Sequence, residues 1–125
     1  MLSARQHKQK VGKWGESVAA WYLAKKGYEI VARHYTSRFG EIDLIAKDRD
    51  ELVFVEVKTR SNQDTGQPEE AVNWHKLSKL KRVILAYLSR NTVEKFRLDV
   101  VAVTRLPGSH KASIRHHKSL SDNWI

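Results

Sequence analysis

Three residues in the middle of the sequence could bind a metal ion and carry out chemistry together: Asp43, Glu56 and Lys58. They lie in two segments that alternate apolar and polar residues, 39–46 (FGEIDLIA) and 52–60 (LVFVEVKTR), and this alternation predicts β-strands. The charged run between the segments predicts a turn, so the two strands form a hairpin. Alternation then places Asp43 on one face of its strand, and Glu56 with Lys58 on one face of the other.

The register of this hairpin decides whether the two carboxylates meet. With residues 49–50 at the centre of the turn, Asp43 is opposite Glu56, and Glu41 is opposite Lys58. Directly opposed Cβ atoms lie about 4.5–5.5 Å apart. Two carboxylates at that distance repel each other unless a cation lies between them. An all-oxygen site of this kind suits Mg²⁺ or Mn²⁺.

The alternative is a structural hairpin whose polar face carries ion pairs, such as Glu41 with Lys58. Against it, Asp43 opposite Glu56 would be a like-charge pair with no structural benefit. Both strands also carry more apolar residues on the other face than an isolated hairpin needs. The residues expected on that face are Ile42, Leu44, Ala46, Val53, Val55 and Val57. The pattern therefore indicates a hairpin that packs on a core.

A first helix is predicted over residues 10–26, ending at Gly27. Its apolar stripe consists of Val11, Trp14, Val18, Trp21 and Tyr22. Glu16 falls on a different face, beside the small or apolar residues Gly12, Ala19, Ala20 and Leu23. A carboxylate on a closely packed face is unfavourable unless a metal, a base or a donor meets it. Glu16 is therefore a candidate third acid, with a snorkelling or capping glutamate as the alternative.

The remaining segments complete a single α/β domain over residues 1–125. After the first helix, we predict strands 28–36, 39–46 and 52–60, a second helix from Pro68 to about Asn91, and strands 96–103 and 112–117. The apolar stripe of the second helix is Val72, Leu77, Leu80, Ile84, Tyr87 and Leu88. This order, αβββαββ, predicts one mixed central sheet flanked by helices. The core would span about residues 10–104, between a basic N-terminal arm, 1–9, and a C-terminal segment, 105–125.

The chain is strongly basic, with 23 Lys and Arg against 14 Asp and Glu and a formal charge of +9. Much of this charge lies in three runs, 1–13, 75–97 and 105–118. Such patches attract polyanions, and nucleic acid is the usual one. Simple solubility, or binding to anionic lipid or to ribosomes, are the alternatives.

Composition also excludes several classes of site. The chain has no cysteine, so disulfides, thiolate zinc sites and a cysteine nucleophile are excluded, which agrees with a cytoplasmic location. No apolar run approaches the ~20 residues needed to cross a bilayer. The basic start of the chain is not followed by the apolar segment of a secretory signal. We therefore expect no membrane partner.

The spacing of these residues resembles a known signature. Asp43, followed thirteen positions later by Glu56, Val57 and Lys58, resembles the PD-(D/E)xK signature of restriction-endonuclease-like nucleases. A wider set of segments resembles the YraN-like family of uncharacterised bacterial proteins, which is similar in fold and motif order to archaeal Holliday-junction resolvases. These segments are 15–16, 22–23, 27–28, 40–46, 54–60, 71–72 and 98–101.

The resemblance implies a nuclease that depends on Mg²⁺ or Mn²⁺. By this resemblance, Asp43 and Glu56 bind the metal ion, with the carbonyl of Val57 as a third ligand. Glu16 matches a glutamate in the first helix of the resolvases, which is an auxiliary ligand of the metal or of water. Lys58 positions the attacking water or stabilises charge on the phosphate. The restriction-endonuclease-like fold is the architecture that the resemblance implies.

The resemblance also implies nucleic acid as the partner, with DNA, and branched DNA in particular, as the first candidate. Lys76 would contact phosphate from the second helix. Helical spacing adds Lys79 and Arg82 to the same basic ridge. We also place Arg60 and Glu41, at the edges of the two motifs, on the nucleic-acid surface. Whether the protein forms a homodimer is left open.

Two departures from the resembled pattern concern single residues. Ile42 replaces the proline of the signature, and His34 stands where asparagine is more frequent, which leaves the role of His34 open. The final ten residues match weakly, and no function is assigned to them.

The tryptophans, the late histidines and Asp99 lie outside these motifs. The four tryptophans are candidates for base stacking: Trp14, Trp21, Trp74 and Trp124. Trp14 and Trp21 are expected to pack in the core, because both lie on the apolar stripe of the first helix. The histidines near the end are expected on the basic surface: His110, His116 and His117. Asp99, on a strand, is expected to pair with a basic residue.

Two functions follow from this reading. The first is a metal-dependent nuclease that hydrolyses phosphodiester bonds. The alternative is a non-catalytic nucleic-acid-binding or assembly protein that keeps the nuclease fold and the basic surface. Loss of Asp43, Glu56 or Lys58 would favour the alternative, and all three residues are present.

Overall fold

The helices and strands occur in the predicted order. The computed structural model describes residues 2–60, 74–106 and 108–119. The elements are α1 (Ala4–Lys25), β1 (Glu29–Ser37), β2 (Gly40–Asp48), β3 (Glu51–Arg60), α2 (Trp74–Arg90), β4 (Phe96–Arg105) and β5 (Ala112–His117). The α/β class and the short fifth strand are confirmed. The predicted start of the second helix at Pro68 lies outside the described residues.

Helix α1 begins six residues earlier than the apolar pattern indicates. Ser3 caps it: its hydroxyl accepts a hydrogen bond from the backbone N–H of Gln6, and the Gln6 side chain accepts one from the backbone N–H of Ser3. This reciprocal capping box satisfies two N–H groups that a helix start otherwise leaves unpaired. Much of the predicted N-terminal arm is therefore helical. In the described ranges, no helix is long and apolar enough to cross a bilayer.

The five strands form one mixed sheet in the order β1-β2-β3-β4-β5. Neighbouring strands are antiparallel except β3 and β4, which are parallel and pair from Leu52 with Phe96 to Arg60 with Thr104. Parallel neighbours need a long crossover connection, and α2 lies in that connection. The carboxyl ends of β3 and β4 consequently lie side by side at one edge of the sheet.

Each face of the sheet is covered by one helix. On the α1 face, buried residues of the helix pack against buried strand residues, including Ala19, Leu23, Leu44, Ala46, Val53, Val55, Val101 and Val103. On the α2 face, the corresponding set includes Leu80, Val83, Ile84, Ile42, Ile45, Phe54 and Leu98. The residues of β3 alternate between the two sets, as strand geometry requires.

Trp21 does not belong to the core, so the prediction for this residue was wrong. Its side chain is 60% exposed, and the ammonium of Lys25 lies 5.8 Å from the centre of a Trp21 ring. The buried residues of α1 are instead Gly15, Ala19, Ala20 and Leu23. Because these side chains are mostly small, this face of α1 can approach the sheet closely. It is therefore the buried face, although Trp21 on another face is larger and more apolar.

Gly15 is the point of closest approach between α1 and the sheet. A Cβ atom built on Gly15 would lie 1.9 Å from the Thr59 hydroxyl and 2.8 Å from both carbons of the Thr59 side chain. Thr59 belongs to β3, three residues after Glu56, so this contact sets the distance between α1 and the strand that carries the candidate site. Gly12, one turn earlier, has no neighbouring atom within 4 Å of such a Cβ.

We expect the two glycines to respond in opposite directions to the same substitution. Gly15→Ala should lower the free energy of unfolding by about 1–3 kcal/mol, because the added methyl group overlaps Thr59. Gly12→Ala should raise it by about 0.5–1 kcal/mol, because alanine is the better helix former and the site has room. Urea unfolding of both variants measures the difference. Equal effects from the two substitutions would contradict the close contact.

Candidate active site

The hairpin of β2 and β3 has the predicted register. Its paired residues run from Asp48 with Glu51 to Leu44 with Val55, around a two-residue turn. Arg49 adopts a left-handed conformation in this turn, with φ of 59°. The next step of this register would bring Asp43 level with Glu56, as the sequence predicts.

At Asp43 the two strands separate. Ile42 packs in the α2-side cluster, whereas Leu44 and Ala46 pack in the α1-side cluster. The prediction that all three share one face was therefore wrong. The physical reason is that regular alternation breaks at Asp43, whose carboxylate Oδ2 accepts a hydrogen bond from the backbone N–H of Val57 at 2.7 Å. The side chain of Asp43 thus takes the place of a backbone acceptor for β3.

Asp43 lies among other acids. Burial of its carboxyl group, together with the negative charge of Glu56, raises the pKa of Asp43 to about 8. The charge of Glu16 and a hydrogen bond with that residue act in the same direction, and the hydrogen bond from Val57 opposes the shift. Glu56 is itself buried, with 5% of its surface exposed. Three carboxyl groups from α1, β2 and β3 therefore influence one another, as the sequence predicts for Asp43, Glu56 and Glu16.

Two lysines neutralise Glu56. The ammonium of Lys76, from α2, lies 2.7 Å from Glu56 Oε1, and that of Lys58 lies 3.4 Å from the same oxygen. Burial and the neighbouring Lys76 lower the pKa of Lys58. Burial opposes the charged form of Lys76 as well, but its hydrogen bonds and the negative charges of Glu56 and Asp43 together outweigh that effect and raise the pKa of Lys76. Lys76, predicted as a phosphate contact, is thus placed beside a carboxylate of the site.

His34 stands at the rim of this acidic group. It lies in β1 but has a left-handed backbone, with φ of 53°. Its ring nitrogens lie 3.7 Å from Glu16 Oε1 and 3.4 Å from Glu41 Oε2. Histidine, asparagine and aspartate are enriched among residues that adopt this conformation. The sequence drew attention to this position only because histidine stands where asparagine is more frequent. It did not predict the contacts of His34 with the two acids.

A sequence profile of the Uncharacterised protein family UPF0102 matches residues 15–103. The chain belongs to this family. It is 42% identical over 110 residues to a UPF0102 protein of Syntrophomonas wolfei, covering 86% of this chain and 94% of that protein. It is 43% identical over 115 residues to a UPF0102 protein of Nocardia farcinica, covering 90% of each. The predicted relationship to a family of uncharacterised bacterial proteins is confirmed.

The part of the chain that matches UPF0102 contains all the acids and both lysines of the candidate site. The predicted nucleic-acid contacts are more dispersed. Lys79 and Arg82 are exposed on α2, Arg60 ends β3 in a half-buried position, and Glu41 is exposed and next to His34. Trp14 is half-buried and packs against the α1-side core, as expected. The side chain of Trp74 and the whole of Trp124 lie outside the described part of the UPF0102 chain.

A second polar cluster lies on the α1 face, around Asp99. This carboxylate is completely buried and accepts hydrogen bonds from Arg97 Nε at 3.0 Å and from the Ser119 backbone N–H at 3.0 Å, while His116 Nε2 lies 2.7 Å away. Burial alone would raise the pKa of Asp99, but the bonds from His116 and Arg97 outweigh it and lower that pKa. The prediction that Asp99 pairs with a basic residue is confirmed. The surface position predicted for His116 was wrong, because Asp99 holds the imidazole inside.

The donor atoms at Asp43 and Glu56 fit a hard divalent cation. Among residues 2–60, 74–106 and 108–119, no three acidic or histidine side chains stand close enough together to hold a metal ion as they are placed. Burial and the negative charges of Glu56 and Glu16 raise the pKa of Asp43, and a cation bound beside Asp43 would favour its ionised form. Oxygen donors of this type suit Mg²⁺ or Mn²⁺. In the described structure, the ammonium of Lys76 supplies positive charge at Glu56.

The raised pKa of Asp43 predicts a specific pH dependence of stability. Native Asp43 keeps its proton up to about pH 8, whereas the unfolded carboxyl group loses it near its ordinary value of 3.8. The native state therefore binds the extra proton between these values, and the free energy of unfolding falls as the pH rises from about 4 to 8.

Asp43→Asn should flatten this slope in metal-free protein, because the amide is neutral at every pH and its oxygen can still accept the bond from Val57. We expect its melting temperature at pH 8 to exceed that of the wild type by at least about 4 °C, the shift for roughly 1 kcal/mol in a domain of this size. The control is Asp50→Asn, in the turn of the same hairpin, where the carboxylate pairs with Lys95 at the surface. Thermal unfolding from pH 5 to 8 measures both variants, and an unchanged slope in Asp43→Asn would contradict the raised pKa of Asp43.

Proposed function

We propose that this UPF0102 protein is a metal-dependent nuclease that hydrolyses phosphodiester bonds in nucleic acid. The observation that carries the proposal is the meeting of the half-buried Asp43 and the buried Glu56, where β2 and β3 separate, with Lys58 beside them. Carboxyl groups placed close together away from water are unfavourable in a fold, and groups perturbed in this way cluster at functional sites.

Asp43 and Glu56 would hold Mg²⁺ or Mn²⁺, with Glu16 and the carbonyl of Val57 as further ligands. Bound there, the ion would polarise the phosphate and make a water molecule more acidic. Because the pKa of Asp43 is about 8, its carboxyl group would release a proton when it binds a cation at neutral pH. Affinity for the ion should therefore rise with pH.

The two lysines would act at different places. Lys58 is 13% exposed, and its charged form would stabilise negative charge on the phosphate, although burial and the neighbouring Lys76 lower its pKa. Lys76 is more exposed, at 39%, and holds Glu56 Oε1. If a cation replaced it there, its ammonium could turn towards a phosphate, which is the role that the resemblance implies.

DNA is the substrate to test first, and branched DNA is included because of the resemblance to Holliday-junction resolvases. The charge of the chain supports a polyanionic partner, since basic residues exceed acidic ones by nine. The exposed positions of Lys79 and Arg82 on α2 would extend phosphate contacts away from the acids. We expect the protein to act in the cytoplasm, where its lack of cysteines has no disadvantage.

One observation favours the alternative of a non-catalytic nucleic-acid-binding protein. Lys76 lies within hydrogen-bond distance of Glu56, so that a charged carboxylate is already paired without any metal ion. In such a protein, the acids and lysines would form a structural ion-pair network and the basic surface alone would bind nucleic acid. Cleavage measurements separate the two functions.

We expect cleavage of a junction, a duplex or a single strand in the presence of Mg²⁺ or Mn²⁺ but not with EDTA. Glu56→Ala should abolish it. Lys58→Ala should cut single-turnover cleavage by about 10²–10³, the scale for losing one charge-stabilising group, while leaving binding nearly intact. If Lys58→Ala lost binding and cleavage in equal proportion, Lys58 would be only a phosphate contact. No cleavage of any substrate would favour the non-catalytic protein.

The basic ridge of α2 should affect binding rather than chemistry. Neutralising Lys79 and Arg82 together as glutamines should weaken DNA binding and make it less dependent on salt, because fewer counterions are released. Fluorescence anisotropy across a salt series measures this slope. The rate of cleavage at saturating protein should stay within about twofold of wild type. If the affinity of the double variant depended on salt concentration as that of the wild type does, α2 would not be part of the DNA-binding surface.

A further inference from the structure

A cleft of about 390 Å³ lies between the first half of α1 and the connection from β4 to β5. We call it the Trp14 cleft, because Trp14 and Val11 form much of its apolar wall. Lys10 and Arg105 bring positive charge, and His110 faces them from the connection. None of the lining side chains in the described part of the chain is acidic. The cleft thus combines a flat aromatic group with cations.

Core packing alone does not account for this arrangement. Trp14 packs against the α1-side core but is only half-buried, so part of its ring system faces the cleft. Lys10, Arg105 and His110 are all exposed at its mouth. An indole face next to two permanent cations is the combination that binds a nucleotide unit, because the base stacks on the ring and the phosphate meets the cations. The volume lies in the range of ordinary ligand pockets.

The cleft and the acidic site lie at the same edge of the sheet. Arg60 and Thr104 pair at the carboxyl ends of β3 and β4, and Arg105 follows directly. Glu56 lies four residues before Arg60, about 13 Å along the strand, and its side chain contacts Lys76 on the α2 face of the sheet. Glu16 of the acidic site and Trp14 of the cleft are two residues apart in α1, so a nucleic-acid strand that passes around this helix can reach both places within a few nucleotides.

Helix α1 connects the two places with a basic outer surface. It contacts β3 through Gly15, with Glu16 on the side of Asp43 and Trp14 on the side of β4 and β5. At about 100° per residue, Lys13 and Lys10 follow Glu16 around the outer surface before Trp14 is reached. Both lysines are exposed. A phosphate backbone that crosses α1 from the acidic site to the cleft would thus meet cations throughout.

We propose that the Trp14 cleft binds an unpaired nucleotide of the DNA substrate, with the base on Trp14 and its phosphate between Lys10 and Arg105. This inference rests on the proposed function and narrows it, because the preferred substrate then has a single-stranded segment a few nucleotides from the cleaved bond. A blunt duplex keeps its bases stacked on one another and cannot fill the cleft.

The test is binding without cleavage, measured by fluorescence anisotropy in EDTA. The probes are a blunt duplex, the same duplex with a short oligothymidine overhang, and the single-stranded oligothymidine. Wild type should bind the overhang more tightly than the blunt duplex. Trp14→Leu should weaken binding of the overhang and of the single strand about tenfold, the scale for losing one stacked base, and leave blunt duplex binding unchanged.

Trp21→Leu is the matched control, since it makes the same substitution in the same helix at an exposed tryptophan outside the cleft. It should bind all three probes as the wild type does. Trp14→Phe keeps an aromatic face and most of the core contact, so it should retain most of the preference for the overhang even if Trp14→Leu unfolds. Lys10→Gln with Arg105→Gln should reduce the salt dependence of single-strand binding.

Several outcomes would overturn the inference. Equal binding of overhang and blunt duplex by the wild type would do so, as would an equal loss of binding to both in Trp14→Leu. Loss of binding to phosphatidylglycerol vesicles in Trp14→Leu, with unchanged binding to oligothymidine, would assign the cleft to a membrane surface instead. A failure of the nuclease proposal would be a different result. Cleavage would be absent or would not depend on Glu56, while the preference of the protein for the overhang would still depend on Trp14.

Discussion

The separation of β2 and β3 at Asp43 is the constraint on which the candidate site depends. Where the strands stop pairing, the backbone N–H of Val57 would lack a partner, and the Asp43 carboxylate accepts its hydrogen bond instead. A buried backbone N–H requires such a partner. The gap also lets groups from both sides of the sheet approach one another: Glu16 reaches Asp43 from α1, and Lys76 reaches Glu56 from α2.

The electrostatics of the site follow from this geometry. Carboxylates that are both buried and close together raise the pKa of one of them, and here it is Asp43. Glu56 has two ammonium groups beside it, so its negative charge is compensated within the protein. The site is therefore asymmetric: one acid holds a proton, and the other holds a lysine. Under the proposed function, a divalent cation would replace the proton and the ammonium with little change in total charge.

Much of the fold could be predicted because its signals are local. The alternation in β2 and β3 and the short turn between them set the register in which Leu44–Asp48 pairs with β3. This register predicted which acidic residues would lie opposite each other. Predictions that assumed unbroken periodicity were wrong, as with Ile42, where the strand changes face. Trp21 was misplaced because apolar character is a poor guide when small residues allow a closer approach. His116 was misplaced because its partner, Asp99, lies seventeen residues away in sequence.

The sequence by itself determined the order of the elements, the pairing of β2 with β3 and the identity of the acids, since all of these depend on residues that are near neighbours along the chain. Only the tertiary structure decided which groups from other elements meet them. The contact of Lys76 with Glu56, the position of His34 between Glu16 and Glu41, and the cleft beside Trp14 are of this kind. Periodicity orients a side chain relative to its own helix or strand. Which neighbour it meets depends on how closely the elements pack, and here that distance is set by the contact of Gly15 with Thr59.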